Sequence, residues 1–145
     1  MKNIVMTQEN KELLLKDLCA RLPYGVKCKD ITLDFVGTIT DISIHDNMCK
    51  LYNDYGDNYT CFIMNCKPYL FPLSSMTEEQ YEKFIIISGW DGDIEDIRRG
   101  KFSCVGYIGL DYIYDTIDWF LKNHFDYRGL IEKGLAIDAT NLNIY

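Results

Sequence analysis

The chain has 145 residues, 48% of them apolar and 26% charged, and a formal charge of −7. That length and apolar share are enough for a single domain over 1–145 that closes its core without a metal or a disulfide. The acidic balance argues against a general nucleic-acid binder, which needs a basic face to displace counterions from phosphate. It suits a solvated exterior, or an acidic face that meets a basic partner.

In chain order, Met1 to Gln8 is too short and mixed for a secretory signal, and no window approaches the ~20 apolar residues of a membrane span. A cytoplasmic protein with no membrane partner is expected. Leu14, Leu15, Leu18, Cys19 and Leu22 form an apolar stripe opposite Lys11, Glu12, Lys16 and Asp17, which predicts a helix from Gln8 to Arg21 that Pro23 and Gly25 end. Strand candidates follow at Gly25–Lys29, Phe35–Ile44, Met48–Tyr52 and Tyr59–Cys66, separated by turn chemistry at His45-Asp46-Asn47 and from Asn53 to Asn58. Val36, Thr38, Thr40, Ile42 and Ile44 alternate with Gly37, Ile39, Asp41 and Ser43, the pattern of a half-buried strand in an antiparallel meander. A small curved sheet or partial barrel is the simplest closure.

Lys67 to Gln80, reading KPYLFPLSSMTEEQ, holds two of the three prolines and reads as a joint between sheet and helix. Thr77 with Gln80 forms a capping box, and Met76 with Tyr81 a hydrophobic staple over it. The helix runs from Glu78 to about Ile87, although Phe84–Ile87 is β-branched enough to read as strand. Trp90–Gly100 is an acidic loop or short turn, and Lys101–Ile108 a further strand. Asp111–His124 is the clearest helix: Asp111, Asp115, Asp118 and Lys122 fall on one face, and Leu110, Ile113, Ile117, Phe120 and Leu121 on the other. Asp126–Lys133 adds a turn capped by Gly134, before an extended tail at Leu135–Ile137. The fold class is α+β, with an N-terminal helix, an antiparallel meander or partial small barrel, and C-terminal helices packed on the sheet.

Three blocks, LLLKDLCARLPYGVKC at 13–28, KPYLFPLSSMTEEQ at 67–80 and HFDYRGLIEKGLAID at 124–138, resemble a group of small uncharacterised proteins of gut Bacteroidetes and their mobile elements. The blocks cover under a third of the chain. The resemblance implies a bacterial or phage cytoplasmic setting and an accessory role, and it brings no catalytic residue or cofactor with it. Phe71 departs from the group, whose members usually carry arginine there, so a basic contact common in the group is missing here.

Chemistry-bearing patterns are sparse. The six cysteines, Cys19, Cys28, Cys49, Cys61, Cys66 and Cys104, read as thiols in a reducing cytosol. No CxxC pair occurs, and Cys61 and Cys66, five apart in one expected strand, would point to opposite faces and not surround one ion. His45 reads as a turn residue and His124 as a last-turn imidazole bonding free carbonyls. No nucleophile elbow, phosphate loop or dinucleotide fingerprint is present. Asp91, Asp93 and Asp96 offer hard oxygens to magnesium or calcium, but a solvated loop or acids capping a short turn at Ile94–Arg98 accounts for them more cheaply. No cofactor is expected.

Eleven tyrosines are more than a core of this size buries with every hydroxyl satisfied. Tyr52, Tyr55 and Tyr59 concentrate in one loop region and form the partner-binding candidate. Two functional readings follow. The favoured one is a non-enzymatic protein-interaction module of mobile-element or phage-related origin, with no nucleic-acid partner. The other is a small-ligand, nucleotide-like binding module or modest metal-dependent hydrolase. A homodimer through exposed aromatics would present the same kind of face as the first.

Overall fold

The computed structural model describes residues 6–100 and 110–145; the strand expected at Lys101–Ile108, with Cys104, lies outside them. Helix α1 (Gln8–Arg21) opens at Thr7, whose Oγ1 accepts from the Asn10 amide at 3.1 Å. Leu14 and Leu18 are fully buried as the stripe predicts, but so are Asp17 and Arg21. Asp17 was expected on the wet side; it is drawn inward because Arg21, one turn later, gives it a partner.

Strands β1 (Lys27–Asp30), β2 (Phe35–Ser43), β3 (Met48–Tyr52), β4 (Asn58–Phe62) and β5 (Cys66–Leu70) pair antiparallel, and β6 (Ile137–Asp138) joins β5 in parallel. The order is β4-β3-β2-β1-β5-β6, a mixed open sheet in an α+β fold. Gly37 permits a close approach in it: a Cβ there would lie 2.7 Å from the carbonyl oxygen of Tyr52.

Three local expectations are corrected. Tyr59–Cys66 is not one strand, because Ile63–Asn65 forms a 3-10 turn that ends β4 and starts β5. The proline joint at Lys67–Leu70 is itself a strand. The Ile31 amide donates to the Asn65 carbonyl at 2.9 Å, which puts the Cys28–Pro68 pair in the non-hydrogen-bonded register, where β1 does not need the N–H that proline lacks. In β2 the register shifts between Ile39 and Asp41, so the simple alternation breaks and both Ile39 and Ile42 reach the core.

Beyond the sheet, Thr77 and Gln80 form the expected capping box on α2 (Glu78–Ser88), which stays helical through Ile87 and ends at Gly89 with φ 67°. Helix α3 (Ile94–Arg98) is tied back by Arg98, whose Nε and Nη2 donate to the Met76 carbonyl at 3.0 and 2.8 Å. Helix α4 (Leu110–Lys122) lies across α2.

The buried side chains fall into two clusters. One, between α1 and the sheet, is aliphatic and thiol: Leu14, Leu18, Val26, Ile39, Leu51 and Leu70 with Cys28, Cys49, Cys61 and Cys66. The other, under α2, α3 and α4, is aromatic: Phe84, Trp90, Trp119, Phe120 and Phe125, with Phe84–Phe120 centroids 5.4 Å apart and Trp119–Phe125 5.5 Å apart.

The clusters meet where the three quoted blocks converge. His124 takes φ 60°, so Phe125 donates to Phe120 O at 2.9 Å and closes the end of α4. Phe71 then donates to His124 O and accepts from the Asp126 amide, both at 2.8 Å. Arg21 reaches in from α1, its Nε on Asp17 at 2.7 Å and its Nη2 on Phe125 O at 2.8 Å, and Arg128 lies 3.6 Å from the other Asp17 oxygen. The carboxylate of Asp126 accepts from the Leu130 and Ile131 amides and caps the turn that follows. Among the described residues the His124 Nδ1 finds no hydrogen-bond partner, contrary to expectation; the left-handed backbone turns the ring onto Tyr145, with centroids 3.7 Å apart and planes 9° apart. Tyr145 in turn accepts from Lys27 N and donates to Tyr69 O.

Candidate functional sites, an edge strand and a buried thiol cluster

The expected tyrosine site falls on the β3–β4 hairpin, but its members diverge. Tyr55, at the turn, is 90% exposed. Tyr59 is paired with Leu51, which is fully buried, so it shares the inner face and leans on Phe35 with centroids 5.5 Å apart. Tyr52, one residue after Leu51, points to the opposite face. The turn between them is held by Asn53, whose Oδ1 accepts from the Tyr55 and Asp57 amides.

What unites the hairpin is its edge. Among the described residues, strand β4 ends the sheet. The Ile63 amide donates to Asn47 O at 2.9 Å, and this fixes the alternation: Tyr59, Cys61 and Ile63 face β3 with their amides, and Asn58, Thr60 and Phe62 point theirs off the sheet. The strand reads Asn-Tyr-Thr-Cys-Phe, without the charge or proline that usually blunts an edge. Phe62 is 54% exposed and walls an apolar groove of about 420 Å³ against α1, with Met6, Leu15, Ile63 and Met64. Lys11, Glu12 and Asp46 also line it.

Behind the edge lies the second candidate. Cys49 and Cys61 are directly opposed on β3 and β4, with sulfurs 3.5 Å apart. The 3-10 turn after β4 folds Cys66 back beside them. This overturns the expectation that Cys61 and Cys66 point apart, which required one continuous strand. Among the described residues, Cys49, Cys61 and Cys66 are the group of three metal-ligating side chains whose donor atoms all lie within 4.8 Å of one another. All three are buried, as is Cys28. The Cys49 thiol beside it favours the thiolate at Cys61 and lowers its pKa, against burial and the nearby Asp30 carboxylate. The contact with Cys61, with burial, holds the proton on Cys49 and drives its pKa up.

Asp91, Asp93 and Asp96 do not gather in this way among the described residues. Asp93 precedes α3, and its side chain makes no cap bond. Burial, with the negative charges of Asp93, Asp96 and Asp91, holds the Tyr81 hydroxyl above its ordinary pKa, and that hydroxyl donates to the Gly92 carbonyl.

The hairpin pairing that opposes Cys49 to Cys61 follows from two strands and the loop between them, so it was within reach of the sequence. The return of Cys66 was not, since Ile63-Met64-Asn65 carries no turn-forming glycine or proline. No helix among the described residues is long and apolar enough to cross a membrane. Comparison of the chain with protein-family models, curated proteins and solved structures finds no match.

Proposed function

We propose that the protein is a non-enzymatic interaction module that captures an extended segment of a partner protein along β4, in the bacterial or phage cytoplasmic setting that the sequence resemblance implies. The edge, which no strand covers among the described residues, carries this reading: outward amides at Asn58, Thr60 and Phe62 on an uncharged, proline-free strand are what an added strand requires. Phe62 and Met64 give one apolar side chain of the guest a place in the groove. The net charge of −7, with Asp54 and Asp57 in the hairpin turn, favours a guest with basic flanks.

The test is selection from a library of extended peptides, followed by amide exchange of the bound protein. Slowed exchange at Thr60 and Phe62 is expected, together with at least a roughly tenfold loss of affinity in Thr60→Pro, which removes an outward amide and leaves the β3 ladder intact. Binding that leaves β4 amides unchanged would sink the edge assignment. Concentration-dependent dimerisation that protects the same amides would identify the guest as a second copy.

A small-molecule reading has one observation behind it, a groove volume of about 420 Å³, within the range of ligand pockets. Its mostly apolar walls fit an apolar ligand better than a nucleotide. Shifts at Phe62 and Met64 with apolar compounds, and none with peptides, would select it.

A further inference from the structure

We propose that Cys49, Cys61 and Cys66 form a binding site for one thiophilic d10 metal ion, of the class that includes Zn(II) and Cu(I), held inside the sheet behind β4. The inference is independent of the edge-strand reading.

Geometry comes first. A metal–sulfur bond of ~2.3 Å requires sulfurs about 3.8 Å apart in a tetrahedral site and about 4.0 Å apart in a trigonal one. The three sulfurs already lie within 4.8 Å of one another and the Cys49–Cys61 pair at 3.5 Å, so small side-chain rotations bring them onto one ion. The backbone holds the arrangement, since Cys49 and Cys61 are fixed by the β3–β4 register and Cys66 by the turn and its pairing with Asp30. Cys28 is buried in the same cluster and is the candidate for a fourth ligand or for an S–H that supports the metal-bound sulfurs.

Charge and solvent agree. Three thiolates around a divalent ion leave one net negative charge, where three bare thiolates beside Asp30 would leave several, so the ion offsets most of the penalty of ionising buried sulfur. Binding releases the thiol protons to water and changes no oxidation state. The donors are all sulfur, which selects soft ions over magnesium or calcium.

The experiment uses the full chain under a non-thiol reductant, titrated separately with Co(II) as a chromophoric stand-in for zinc, with Zn(II) and with Cu(I). The expected result is one equivalent bound: a near-ultraviolet sulfur-to-cobalt charge-transfer band displaced by Zn(II), or one Cu(I) by mass. Cys49→Ser, Cys61→Ser and Cys66→Ser should each abolish it, and Cys19→Ser should leave it intact. Because a serine variant can fail to fold, alkylation of the unaltered protein supplies the second readout. Metal should slow modification of Cys49, Cys61 and Cys66 at least tenfold relative to Cys19. Failure to bind any of the three ions, or binding without protection of those three cysteines, would overturn the assignment.

Discussion

The two buried clusters solve the same packing problem with opposite materials. The aromatic cluster under α2, α3 and α4 is filled by rings that interlock, Phe84 meeting both Trp119 and Phe120 within 5.6 Å. The cluster between α1 and the sheet is filled by short aliphatic side chains and four thiols. Large rings concentrate energy in a few positions, so truncation there leaves a large cavity. Thiols spread it thinly, and this allows a second use at little cost in packing.

The largest effects should come where the contrast is sharpest. Phe120→Ala should lower unfolding free energy by about 3–5 kcal/mol, and Cys66→Ala in metal-free protein by only about 1 kcal/mol, both measured by urea denaturation. Equal losses would show that the thiol cluster is packed as tightly as the aromatic one. At the junction, Arg21→Met should cost about 3–5 kcal/mol, since it leaves the Asp17 carboxylate buried without its main partner. Asp17→Leu combined with Arg21→Met should recover most of that loss in the same assay. If the double variant stays as unstable as the single one, the bond from Arg21 to Phe125 O carries the junction and the ion pair does not.

A smaller, pH-dependent effect belongs to His124. Burial, helped by the Arg21 charge, pulls its pKa down to about 4. The unfolded chain, with a histidine pKa of about 6.5, therefore takes up the proton first. Stability from the neutral ring is full above about pH 6.5 and is lost as pH falls toward 4. Partial solvent contact reduces the effect to about 1–2 kcal/mol. Asp17 opposes it at the acid end, because burial raises its carboxyl pKa and the folded state there holds the proton more tightly. Thermal unfolding across pH 4–7 should show the slope, and His124→Asn, which tolerates the left-handed backbone, should flatten it. The smallest effect is expected at Thr77→Ala, about 1 kcal/mol by the same measurement, from loss of the α2 cap.

How much of this was legible in the sequence depended on range. Helix α1, the hairpin β3–β4 and the Thr77–Gln80 box are set by neighbours within a few residues, and their residues announce them. Asp17 misled, because periodicity assigns a charge to solvent until its partners are known, and here Arg128 and the Phe125 region come from the far end of the chain. Pro68 misled in a related way: proline disfavours strands in general, yet the register against Cys28 makes its missing N–H harmless. The spacing of Tyr52, Tyr55 and Tyr59 puts all three on one hairpin. Their division between two faces became visible only through the pairing of Tyr59 with Leu51, and the edge amides through the bond from Ile63 to Asn47.

The bond from Arg21 to the carbonyl of Phe125 spans 104 residues. Helix α1 emerges from a ribosome with its Asp17–Arg21 pair already able to form within one turn, but with its buried face uncovered. At roughly 5–20 residues per second, several seconds or more pass before Phe125 is made, and longer before it clears the exit tunnel. Through that interval Leu14 and Leu18 have only the growing sheet to shelter them. Docking of segment 124–131 against α1 and β5 is therefore expected to come last in folding, as a closure of long contact order. A pulse of amide labelling during refolding should find protection at Phe71 and Asp126 after it has appeared in the β3–β4 hairpin.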